Sequence, residues 1–109
     1  MPPAVGSERF RLARLARDAS LRVSGVVGAD PGPTGSFVTV SGGERLDGVM
    51  CVATRSGGYE VSLRLVCRLV PLPALGEQVK AAVQRTAGSA GIALESVSVH
   101  VAELVSEDQ

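Results

Sequence analysis

The chain has 109 residues, enough for one domain with a modest core that needs no metal or disulfide staple. Hydrophobic residues make up 45% and charged residues 20%, which excludes an intrinsically disordered chain. Eleven basic side chains balance eleven acidic ones, and a net charge of zero argues against a general nucleic-acid binder, which needs a cationic surplus to neutralise phosphate.

With no Trp, one Tyr and two Phe, the core must be built from Val, Leu and Ala. The opening MPPAVGSERF lacks the apolar segment of a secretory signal, and no run of about 18 apolar residues offers a membrane span. A cytoplasmic protein is therefore expected. Cys51 and Cys67, the two cysteines, both lie inside apolar runs and are expected as buried, reduced thiols.

In chain order, residues 1–6 read as a flexible leader, 7–105 as a single domain and 106–109 as a polar, frayed tail. SERFRLARLARDASLRVSG predicts a helix with Ser7 as N-cap and Gly25 just past its end. Leu12, Leu15, Ala16, Ala19 and Val23 supply its buried stripe. GADPGPTG reads as loop, SFVTV as a short strand, and SGGERLDG as a second polar loop. VMCVATR and YEVSLRLVCRLV, joined by SGG, predict a β-hairpin. In its second arm Val61, Leu63, Leu65, Cys67 and Leu69 point one way, and Glu60, Ser62, Arg64 and Arg68 the other. Counting from the turn puts Cys51 nearer Leu63 than Cys67, which disfavours a cross-strand disulfide.

In RLVPLPALGEQVKAAVQRTAG, Pro71 ends the strand because it cannot donate to a central ladder, and Pro73 suits the first turn of a helix. Leu75, Val79, Ala82 and Val83 continue that helix, and Gly88 is expected to stop it. ESVSVHVAEL closes the chain as a strand in which Val97, Val99 and Val101 alternate with Ser98, His100 and Ala102. The fold class expected is α+β: a two-layer sandwich in αββαβ order, a three-stranded mixed sheet with two helices on one face. SFVTV is a candidate extension of that sheet, and the last connection is expected as a right-handed crossover.

Chemistry-bearing patterns are sparse. His100, the lone histidine, sits on the polar side of the closing strand, where spacing sets no Ser or Cys beside it. A small enzyme using His100 with a carboxylate is therefore a minor alternative. No catalytic, cofactor-binding or metal-ligating residues are identified, and no small-molecule substrate is expected. The tetrapeptides GVVG, GPTG and GSAG invite a KH-like RNA-binding reading. With 13 Gly in the chain such matches arise by chance, and GSAG is uncharged and precedes a strand, so nucleic acid is not the expected partner. On the first helix, Phe10, Arg14, Arg17 and Leu21 fall by angle opposite the buried stripe. A basic face seeded with two large apolar residues suits an acidic partner or an anionic membrane surface, so these four are the candidate partner-binding residues.

In their order and spacing, LARLARDASLRVSGV, GVMCVATRSGGYEVSLRLV, PLPALGEQVKAAVQ and GIALESVSVHV resemble the alkaline-shock-protein family of bacterial envelope stress response proteins. The likeness covers about residues 10–105. It departs in the first residues, where many members begin with a short strand, and in the Gly- and Pro-rich stretch Gly28–Gly48. The resemblance implies a non-enzymatic, cytoplasmic protein of envelope stress response or maintenance. It further implies self-association or association with a homologous subunit, and tethering to the inner face of the membrane by a membrane-anchored partner.

Overall fold

The computed structural model describes residues 5–106, with side chains from residue 8 onward. Of the expected leader and tail, residues 1–4 and 107–109 lie outside the described residues. The first helix, α1, spans Val5–Leu21, so it starts two residues before the expected cap at Ser7 and stops short of Val23. Strands β1 (Val26–Ala29), β2 (Val38–Ser41), β3 (Glu44–Asp47), β4 (Val49–Ala53) and β5 (Tyr59–Arg68) follow. Helix α2 (Leu72–Ser89) and strand β6 (Leu94–Val105) complete the chain.

The α+β class holds, but the sheet is not the expected three strands in αββαβ order. Four strands form it, and a separate two-stranded hairpin, β2–β3, stands apart. β5 is central. On one side it pairs in parallel with β6 along its whole length. On the other side it pairs antiparallel with two short strands in succession. β4 lies against Tyr59–Leu63, and β1 lies against Leu65–Cys67. SFVTV therefore contributes a strand that pairs with SGGERLDG, read from sequence as loop, and does not extend the main sheet.

β1 and β4 are collinear: together they make one edge strand interrupted after Asp30 and resumed at Gly48. Both ends of the interruption meet at Arg64, whose carbonyl accepts from the Asp30 amide and whose own amide donates to the Gly48 carbonyl. Gly48 closes the gap in a left-handed conformation, φ +85°. A Cβ there would sit 2.8 Å from the Asp30 amide nitrogen and closer still to the Ala29 Cβ, so the junction demands glycine.

Alternation along β5 builds the core as the sequence implies. Tyr59, Val61, Leu63, Leu65 and Cys67 are buried, while Leu69 lies beyond the strand end and is 66% exposed, against expectation. From β4, Val49 and Cys51 join the same face, and Val97 joins from β6. Leu12, Ala13, Ala16 and Ala19 of α1, and Leu75, Val79, Val83 and Ala87 of α2, pack onto it. The small alanines let α1 approach closely, which suits a core poor in aromatics. Pro73 falls in the first turn of α2, as expected, while β5 already ends at Arg68 and Pro71, expected to end that strand, serves as the N-cap of the helix. Gly88 does not stop the helix; the chain turns at Gly91, φ +72°.

Candidate interaction surface

The four residues expected to form an outer face of α1 do not share an open surface. The β2–β3 excursion folds back against the helix and covers that side. Phe10 is buried, at 9% exposure, and Leu21 is half-buried and packs on the core. Arg17 is half-buried and donates from Nε to the Asp47 carbonyl at 2.8 Å. Arg14 is exposed, forms an ion pair with Glu44 at the hairpin tip, and lies 5.1 Å over the Phe10 ring. The buried Thr39 hydroxyl donates to the Val49 carbonyl at 2.8 Å and fixes the hairpin to the sheet edge. Angle around a helix identifies which residues share a side, but not what the rest of the chain lays over that side. Here the covering came from a short strand placed elsewhere and from its partner arm, which read as loop.

His100 stands on the face of the sheet away from the helices, beside Arg64 in the β5–β6 register. Its ring meets Phe37 edge-on, with centroids 5.1 Å apart, and Phe37 in turn lies under Arg64. Arg64 also pairs with Asp30 at 3.3 Å. This group pins the start of the excursion to the sheet. None of the GxxG tetrapeptides joins two helices: GVVG runs into β1, GPTG is a turn, and GSAG spans the end of α2 and the turn after it.

The two thiols are buried and free, and Cys51 sits opposite Val61, six residues along β5 from Cys67. Burial pushes the Cys51 thiol up to about 11, against a smaller opposing pull from the Arg9 guanidinium, and also raises Cys67. Tyr59 donates its hydroxyl to Glu8 at 2.8 Å. Burial, followed by the proximity of that carboxylate, lifts the phenol to about 12. At neutral pH all three are protonated. The thiols thus behave as small apolar core residues and not as nucleophiles.

Clefts lie beside α2, and two of them bear on its flanks. One, about 480 Å³, separates it from the end of α1 and is rimmed by Arg22, Gln78 and Arg85. The other, about 310 Å³, lies between the first half of α2 and the β5–β6 floor. Leu72, Leu75, Val79, Val99 and Val101 make it apolar, and Glu77 and Lys80 also line it. It adjoins the outer edge of β6, which pairs with no strand among the described residues. Val101 and Leu104 on that strand are 38% and 43% exposed. Sequence alternation identified the apolar side of β6 but could not show that β6 is an edge strand, since that depends on which strands flank β5.

Among the described residues no group of three His, Cys, Asp or Glu side chains is placed to hold a metal ion, and no helix is long and apolar enough to cross a membrane. A scan against protein-family models, a search of curated proteins and a search of solved structures each return no match to this chain.

Proposed function

We propose that this chain acts by binding proteins and not by catalysis, as a component of bacterial envelope stress response or maintenance of the alkaline-shock type. It associates with itself or a homologous subunit and is held beneath the membrane by a membrane-anchored partner. The observation that carries this reading is the open edge of β6. Its regular stretch, Ser96–Val101, is paired on one side only, beside an apolar cleft. Exposed, flat strand edges pair readily with other chains, and natural monomers usually guard them with Lys, Pro or a covering loop. The resemblance to the alkaline-shock family supplies the envelope context. Light scattering on the purified chain up to high micromolar concentration tests the central point. An average mass rising above the monomer is expected; a strict monomer over the whole range would overturn the reading.

A further inference from the structure

We propose that two copies of this chain join through β6, strand against strand and antiparallel, about a two-fold axis that passes close to Val99. The proposal rests on the self-association put forward above and names its surface.

The part of the β6 edge that can pair is defined by its register with β5. Ser96–Val101 run in step with Glu60–Leu65, and the register slips on either side, where Glu95 and Ala102 have no opposite residue. Such bulges bend and twist the strand, which confines a flat ladder to Ser96–Val101. That stretch, Ser-Val-Ser-Val-His-Val, carries no Lys, Arg, Asp, Glu or Pro. It has neither a guarding charge nor a missing donor.

A two-fold axis perpendicular to the sheet preserves the two faces. With the axis at Val99, that residue meets its own copy and Val97 lies opposite Val101 of the second copy, all on the helix side. Ser98 lies opposite His100 on the other side. Apolar residues meet apolar ones and no like charges are opposed, which is what a self-complementary interface requires.

The adjacent cleft selects a second copy over a strand from some other protein. α2 packs against α1 on one flank, so its free flank, with the apolar cleft, is on the β6 side. The symmetry sets the two clefts facing each other across the seam, with the two α2 helices antiparallel. Glu77 and Lys80, about one turn apart on α2, line this cleft together with Val99 and Val101. In that arrangement each Glu77 faces the other copy's Lys80. Neither takes part in an ion pair among the described residues.

The test uses the full chain with single substitutions on the exposed face of β6. Antiparallel pairing about Val99 places position 98 directly opposite position 100 of the second copy, within disulfide reach, while 98–98 and 100–100 pairs are offset beyond it. Under mild oxidation an equimolar mixture of Ser98→Cys and His100→Cys chains should give a cross-linked heterodimer, and either variant alone should give little. In parallel, Glu77→Lys should weaken the dimer about tenfold by turning two attractive contacts repulsive, and Glu77→Lys/Lys80→Glu should restore it. If the chain dimerises but the mixture does not cross-link and the double charge swap restores nothing, the dimer uses another face: this proposal falls and self-association stands. A strict monomer by light scattering removes both.

Discussion

At the scale of single residues, two glycines with nearly the same backbone conformation carry different loads. Gly48 and Gly57 have φ of +85° and +91°, so a side chain at either is strained. At Gly57, in the β4–β5 turn, a Cβ would meet nothing within 4 Å, whereas at Gly48 it would collide with Ala29 and Asp30 where the interrupted strand resumes. Gly57→Ala should therefore cost about 1 kcal/mol, the price of the left-handed backbone alone. Gly48→Ala should cost about 3 kcal/mol, since steric overlap with backbone is added. Urea melts of the two variants check this; equal costs would mean the junction relaxes freely. Cys51 and Tyr59 set a second residue-level expectation. Their acid groups are raised from 9.0 to about 11 and from 10.0 to about 12 on folding. Between pH 9 and 12 the unfolded chain therefore holds fewer protons than the folded one, and stability falls as pH rises. Their contribution is fully present below pH 9. The melting temperature should be flat from pH 7 to 9 and decline above it, and Tyr59→Phe should reduce the decline above pH 10. A Tyr59→Phe chain with an unchanged alkaline slope would place the loss elsewhere.

At the scale of elements, the excursion between Asp30 and Gly48 is an addition to one strand, because β1 and β4 share a line and both flank Arg64. Deleting residues 31–47 and joining Asp30 to Gly48 would set two residues opposite Arg64, the arrangement of a β-bulge. The shortened chain should retain a cooperative thermal transition and its mixed helix–strand circular dichroism. It should also melt lower, because the core loses Leu46, Arg17 loses the Asp47 carbonyl and the Val49 carbonyl loses the Thr39 hydroxyl. Loss of cooperativity would show that the hairpin is integral to the fold. The same segment marks where the sequence stopped being legible. The β4–β5 hairpin, α2 with Pro73 in its first turn, and β6 all announce themselves by periodicity carried over many residues. β1 and β3 are four residues each, set among glycines; β1 owes its strand character to β5, far along the chain, and β3, Glu-Arg-Leu-Asp, is the second arm of a tight hairpin with no apolar alternation to announce it. That also explains the four residues on α1. Arg14 and Arg17 looked free because the arm that engages them, Glu44–Asp47, read as loop.

At the scale of the whole molecule, charge bears on the proposed attachment to an envelope. The chain is neutral overall, and the two arginines singled out on α1 are engaged by its own hairpin, Arg14 with Glu44 and Arg17 with the Asp47 carbonyl. An anionic bilayer rewards each basic residue near its surface with about 1 kcal/mol, and neighbouring carboxylates subtract from that. One or two arginines are then too few to hold a protein on lipid, where stable anchoring takes a polybasic cluster or an acyl chain. The purified chain should therefore stay with the soluble fraction when floated with vesicles of phosphatidylserine and phosphatidylcholine at physiological salt. Freeing the arginines supplies the internal control. Glu44→Gln removes the partner of Arg14 and adds one net positive charge, and it should increase recovery with the vesicles only slightly, if at all. If the unmodified chain floats quantitatively with anionic vesicles and is released by high salt, lipid itself is the anchor, and the proposed membrane-anchored protein partner is unnecessary.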